Sequence, residues 1–212
     1  MVKFVISEKD IKLVEKMLAK RDESRENILE NSRIAIRFSA RAIVEIHREN
    51  FSKAKKNLME VKDYLRKIEK AISSNQEFKY SGNVLTAYQE YAEAKLLYHL
   101  LFEEKGLSPR ELGIESVPYL LGLLDLIGEL RRVVLNYLMR GDTNKAFSIF
   151  SLMERTYEDL FSINHTAIIP NFRRKLDSMR RTVEATRGDI VTESRRISLE
   201  KTIKVFEKKL IE

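Results

Sequence analysis

The chain has 212 residues, and its 7 glycines and 3 prolines leave too few turn positions for a fold made of many short strands. It has no cysteine, which excludes disulfides, thiolate metal sites and thiol nucleophiles and fits a reducing compartment such as the cytoplasm. A net charge of +7 favours a polyanionic partner, because long-range attraction to phosphates needs an excess of Lys and Arg. We expect one helical domain over residues 1–212.

Helical spacing of the apolar residues predicts an all-α chain. The apolar run at residues 1–6 is too short for a signal peptide or a membrane span. Caps and helix breakers set the expected boundaries. The first predicted helix runs from Ser7 to a break near Glu49–Ser52, with a weak point at Arg21–Ser24, and the second continues from there to about Ser73. The third runs from Asn83 to Lys105 before Gly106, and a short helix starts at Ser108. The last three run from Ser116 to Gly141, from Asp142 to Ser162, and from beyond Pro170 to Glu212 with a weak point at Gly188.

The third of these helices carries two acids, Glu90 and Glu93, one turn apart on the same face. An isolated pair of this kind is usually part of a solvated surface. Glu90 and Glu93 are candidate site residues only if a second acidic helix packs against that face.

The helix that starts at Ser116 carries Asp125 and Glu129 inside a run that is otherwise apolar on nearly all sides. Gly122 lies on the same stripe and Gly128 lies beside it, so we expect another element to approach this side of the helix closely. A buried carboxylate is costly unless it is paired, hydrogen-bonded or bound to a metal. Asp125 is therefore a candidate site residue.

Two explanations of Asp125 stay open. One is a buried ion pair with Arg131 or Arg132, which lie nearby. The other is a hard divalent ion, Mg²⁺ or Mn²⁺, which prefers oxygen ligands and would meet four carboxylates if the two acidic helices pack face to face. Such an ion activates water and neutralises charge on a phosphoryl group. A di-iron site is not favoured, because the acids lack Glu-x-x-His spacing, and we expect the three histidines to be packed or surface residues.

Basic residues form two stripes, one on the first helix and one on the last. Either stripe alone can be a solvated face, but two stripes beside an acidic cluster favour binding to a phosphate backbone. We expect the first stripe to face the same space as the acids. The first stripe consists of Arg33, Arg37, Arg41 and Arg48, and the second of Arg173, Arg174, Lys175, Arg180, Arg181 and Arg187.

Segments spread along the chain resemble the translin/Trax family, most specifically its Trax-like branch. Residues Gln89–Ala94 are similar to the Gln-Glu-Tyr-Val-Glu-Ala segment of Trax proteins, and Gly122–Leu130 to their Gly-Leu-x-Asp-Leu-x-Gly-Glu-Leu pattern. Residues Asn136–Asp142 fit the family's Asn-x-x-x-x-Gly-Asp. Residues Ser32–Arg48 resemble the early helix of Trax proteins, whereas Leu112–Glu115 looks more like translin.

The resemblance implies an antiparallel bundle of about seven helices and a hollow homo-oligomer, an octamer, with active sites facing inside. It also implies that Glu90, Glu93, Asp125 and Glu129 hold Mg²⁺ or Mn²⁺ and activate water in an endoribonuclease that cleaves single-stranded or short duplex RNA. The alternative is a translin-like protein that binds single-stranded RNA or DNA without cutting it. A purely structural helical oligomer is a third hypothesis. We predict a cytoplasmic protein with no membrane partner.

Overall fold

A computed structural model describes residues 6–103 and 105–211, with side chains as far as Glu207. Over these residues the chain forms seven α-helices and no strand, which confirms the all-α prediction. Two short 3₁₀ turns, Gln76–Phe78 and Thr166–Ile168, lie between them. The α-helices are α1 Glu8–His47, α2 Phe51–Ser73, α3 Gly82–Phe102, α4 Pro109–Leu112, α5 Ser116–Met139, α6 Thr143–Phe161 and α7 Phe172–Ile211.

Two of the sequence predictions concern the ends of the chain. The apolar run was predicted over residues 1–6, of which 1–5 lie outside the described residues, as does the expected helix end at Glu212. Within the described part of the chain, no helix combines the length and the apolar character needed to cross a membrane.

Local capping chemistry explains where several helices begin. The Ser7 and Asp142 side chains accept hydrogen bonds from the backbone N–H groups of Asp10 and Lys145, as N-cap residues do. Ser108 and Glu111 form a reciprocal capping box at the start of α4. These three starts confirm the sequence prediction.

One predicted boundary was wrong, and the helices continue through both weak points. Helix α3 ends at Phe102, and Glu103 rather than Gly106 caps it, because the Lys105 N–H bonds back to the His99 carbonyl oxygen. Helix α1 continues through Arg21–Ser24, where Asp22 pairs with Arg25 one turn later on the same helix and Arg21 pairs with Glu77. Helix α7 continues through Gly188, since one exposed glycine costs a helix only about 1 kcal/mol.

The chain divides into two compact units, Met1–Ile114 and Glu115–Glu212. That they form a single domain stays a prediction.

In the first unit, α1 and α2 pack along a narrow seam. Helix α2 buries apolar side chains at alternating steps of four and three residues, which is the spacing of a helix-packing stripe. Helix α1 faces the core with Ile28, Ile43 and Ile46 and with small side chains, which let helix backbones approach closely. The α2 stripe consists of Ala54, Leu58, Val61, Leu65, Ile68 and Ile72, and the small α1 residues are Ser32, Ala35, Ser39 and Ala42.

In the second unit, α5, α6 and α7 pack against one another. Helix α5 is buried on most sides, as its apolar sequence predicts. Helix α7 contributes Phe172, Leu176, Val183 and Ile190 to the core, all from its first half. Two long helices extend beyond their packed parts, since nearly every side chain at residues 8–27 of α1, and all those described from Ser198 of α7, are exposed.

Candidate functional site

An open groove of about 870 Å³ runs between α1 and α2 of the first unit. Its α1 wall carries Arg37, Arg41 and Arg48, three members of the first predicted stripe. Arg33, the fourth member, is exposed on α1 but lies outside the groove lining. The structure therefore brings most of this stripe to one surface.

The α2 wall of this groove adds Lys53 and Lys56, which sequence reasoning missed. The only signal in the sequence was their position after the tight turn at the end of α1, which places the first turns of α2 beside the last turns of α1. Two acids, Glu45 and Glu60, also line the groove, so five cations face two anions.

The groove cations differ in how far they are neutralised. Arg48 lies 3.2 Å from a carboxylate oxygen of Glu45. Arg41 rests over the Phe38 ring, with 5.4 Å between its Cζ and the ring centroid, which holds the guanidinium without neutralising it. Within the described part of the chain, Arg37, Arg41, Lys53 and Lys56 form no ion pair with an acid. Their charge is therefore available to an anionic ligand.

The two acids of α3 differ in exposure. Glu93 is buried, with 7% of its surface exposed, and Glu90 is half-buried. Each has an interaction partner. They belong to the first unit, whereas Asp125 and Glu129 belong to the second. The convergence of all four carboxylates stays a prediction.

Asp125 on α5 binds the ammonium group of Lys175 on α7. The Lys175 Nζ donates hydrogen bonds to Asp125 Oδ1 at 2.6 Å and to Oδ2 at 2.9 Å. Both side chains are half-buried, with 25% of Asp125 and 34% of Lys175 exposed. Asp125 therefore forms an ion pair, which was one of its two open explanations, but with Lys175, 50 residues away in sequence, and not with Arg131 or Arg132.

The two expected arginine partners bind elsewhere. Arg131 donates to Thr186 Oγ1 at 2.7 Å and lies 2.9 Å from Asp189 Oδ2, so it ties α5 to α7 a second time. Arg132 lies 3.7 Å from Glu129 Oε2, which is too long for a hydrogen bond.

Glu129 follows Asp125 by four residues, so both acids lie on the same face of α5. Its side chain is 22% exposed. At Gly128 no described atom lies within 4 Å of the position that a Cβ would take, whereas Gly122 on the same stripe is buried. The expected close approach to this side of α5 stays a prediction.

Two further features of the units concern possible metal ligands and the buried histidine of α3. Over the described residues, neither unit by itself gathers three or more His, Asp or Glu side chains closely enough to hold a metal ion. His99 is buried on α3, and burial, reinforced by the charge of Lys95, lowers its pKa. It is therefore a packed, neutral residue near pH 7, as expected.

The chain is similar to known proteins along most of its length. The model of the Translin family matches residues 13–186. An uncharacterized protein of Methanocaldococcus jannaschii is 34% identical over 206 residues, which span 96% of this chain and 91% of that protein.

Solved structures share the fold. Apo-NeC3PO has a TM-score of 0.79 at 24% identity and covers 90% of this chain and 100% of its own. AfC3PO has a TM-score of 0.74 at 26% identity, covering 88% of this chain and 98% of its own. The complex of AfC3PO with duplex RNA has a TM-score of 0.75 at 23% identity, covering 88% and 97%.

Proposed function

This chain belongs to the Translin family, and on that premise we propose that it is a divalent-metal-dependent endoribonuclease that binds RNA and works as a homo-oligomer. A protein of the same fold, AfC3PO, has been solved in complex with duplex RNA. We assign the chain to the Trax-like branch because all four acidic positions of that branch are acidic here. These are Glu90, Glu93, Asp125 and Glu129.

The α1–α2 groove is the observation that carries RNA binding. Four of its cations have no acidic partner among the described residues. A phosphate backbone gains affinity by replacing its condensed counterions with Lys and Arg side chains, and this gain does not depend on base sequence. Because the groove is open to solvent, a strand can lie along it with its phosphates towards α1 and α2.

The acids of α5 support the hydrolytic step. Hard divalent ions prefer carboxylate oxygens, and both oxygens of Asp125 already face a cation, the Lys175 ammonium. Glu129 adds a second carboxylate on the same helix face. In this proposal Asp125 and Glu129 would hold such an ion, with Glu90 and Glu93 assigned by family resemblance. When bound, the ion supplies an activated water and neutralises charge on the phosphoryl group.

The groove cations and the α5 acids have different roles because their charges are opposite. The groove cations bind and orient the phosphate backbone, and they release the product more readily at high salt. The α5 acids are anionic and do not themselves bind phosphate. Binding and cleavage should therefore depend on different residues.

Two exposed apolar stripes support self-association. The first, on the α1 extension, includes Ile11, Val14 and Leu18, and the second, on the α7 extension, includes Leu199, Ile203 and Phe206. Apolar stripes on exposed helices often mark contacts with another protein surface. We propose that further copies of the chain cover them in an octamer, which works in the cytoplasm.

A non-catalytic RNA- or single-stranded-DNA-binding protein is the second candidate. The pairing of Asp125 with Lys175 favours it, because a carboxylate that is already neutralised has less need of a metal ion. Both candidate functions use the groove to bind nucleic acid, and only the nuclease also requires the four acids.

The deciding experiment incubates end-labelled single-stranded RNA and a short RNA duplex with the purified full chain, in Mg²⁺ and in EDTA. We expect binding in both conditions and cleavage only with Mg²⁺. Binding without cleavage in either Mg²⁺ or Mn²⁺ would replace the nuclease with the binding protein. A chain that neither binds nor cleaves RNA contradicts both.

A further inference from the structure

We propose that Lys175 is the built-in counter-ion of the Asp125 site, which occupies the cation position in the resting protein and yields it to a divalent ion. The inference rests on the proposed metal-dependent function. It makes Lys175 a regulator of metal affinity rather than a catalytic residue.

The geometry of the pair places the ammonium where a cation ligand of Asp125 would lie. Its nitrogen is within 2.9 Å of both carboxylate oxygens, so it engages the whole carboxylate instead of one edge. A divalent ion bound to the same oxygens would meet this positive charge at short range. Coulomb repulsion between the two cations therefore makes them compete for this position.

The residue type suits displacement. A lysine ammonium is a compact charge on a flexible stem with no fixed planar fork, so it leaves a carboxylate more readily than an arginine does. One third of the Lys175 surface is exposed, which gives the released side chain access to solvent.

The packing of α5 on α7 does not depend on this pair alone. Arg131 joins the same two helices through Thr186 and Asp189. Apolar residues of α7, including Leu176 next to Lys175, are buried in the core. The ammonium can therefore leave Asp125 while the helices keep their places.

The test measures Mn²⁺ binding to the full chain by electron paramagnetic resonance, without RNA. Lys175→Gln removes the competing charge, and we expect Mn²⁺ affinity to rise by about three- to tenfold, the range that a half-exposed ion pair of roughly 1 kcal/mol gives. Lys175→Arg pairs with Asp125 through a planar fork, and we expect affinity to fall below that of the parent chain.

Lys201→Gln is the matched control. It makes the same chemical change on the same helix, about 39 Å along the axis from Lys175, at an exposed side chain. We expect its Mn²⁺ affinity to equal that of the parent. A rise equal to that of Lys175→Gln would show a general charge effect and overturn the inference.

The remaining outcomes separate this inference from the proposed function. Equal Mn²⁺ affinity in the parent, Lys175→Gln and Lys175→Arg overturns the role of Lys175, while RNA cleavage by the parent keeps the nuclease. A parent that binds no Mn²⁺ and cleaves no RNA removes both. If Lys175→Gln fails to fold, the comparison of Lys175→Arg with the parent decides, because Arg keeps the ion pair.

Discussion

Arg131 on α5 and Asp189 on α7 form an ion pair with 2.9 Å between Nη2 and Oδ2. Together with the pair between Asp125 and Lys175, it shows that α5 and α7 run in the same direction, since the order of contacts along both helices is the same.

This relationship predicts a stability effect. Replacing Arg131 with Leu removes its bonds to Asp189 and to Thr186, but Thr186 keeps its bond to the Thr182 carbonyl oxygen. Because both charged side chains are partly exposed, we expect a loss of about 1 kcal/mol in the free energy of unfolding. Urea denaturation measures it, and Arg132→Leu, which loses no hydrogen bond, serves as the control. Equal losses in the two variants would contradict the prediction.

Asp125→Asn should separate cleavage from binding. The amide keeps the size of the side chain but loses the charge that a divalent ion needs, so we expect the cleavage rate to fall by about a hundredfold or more. RNA affinity should stay the same or rise, because the change removes a negative charge and leaves the groove cations intact. Single-turnover cleavage and a filter-binding assay report the two properties. Asp159→Asn, at an exposed acid of α6, should cleave like the parent.

The double variant Arg37→Ala and Arg41→Ala should weaken RNA binding for all sequences alike. The slope of log affinity against log salt should become shallower by about 0.7 for each phosphate that the variant no longer neutralises. Cleavage should recover at saturating RNA, since the acids are intact. The control is Arg25→Ala on the same helix, whose side chain is paired with Asp22 and Glu26 outside the groove. An unchanged salt slope in the double variant would remove the groove from the binding surface.

Leu18→Glu should disrupt assembly. A charge in the apolar stripe of α1 opposes its burial against another copy. We expect sedimentation to give eight copies for the parent at micromolar concentration and a smaller species for the variant. Met59→Glu changes a solitary exposed side chain on α2 and should leave the assembly intact. A monomeric parent would contradict self-association.

The capping box of α4 predicts a pH dependence. Hydrogen bonds from the backbone and side chain of Ser108, together with Lys105, lower the pKa of Glu111 from 4.5 to about 2. Because the folded-state pKa is the lower one, the cap contributes its full stability above about pH 4.5 and loses it progressively towards pH 2. An NMR titration of the Glu111 carboxyl carbon measures this pKa, and Ser108→Ala should raise it. A midpoint near 4.5 in the parent would contradict the capping box in solution.

Helix starts were predictable because capping is local. A cap depends on a side chain and backbone N–H groups about three residues away, as at Ser7 and Asp142, so the sequence contains the whole interaction. The buried face of α2 follows the same local rule, since the period of its apolar residues marks which face is buried. The α3 end was not, because it depends on a bond back to His99 that no stop signal marks.

The amino-acid sequence by itself determined the helical content, most helix starts and the family, and it singled out the acids and the α1 arginines as candidates. Only the tertiary structure decided which groups meet. It placed Lys53 and Lys56 opposite Arg37 and Arg41, and it gave Asp125 a lysine partner 50 residues away. The physical reason is that spacing along a helix fixes which face a side chain occupies, whereas its charge partner is set by how separate helices pack and by their relative rotation and register.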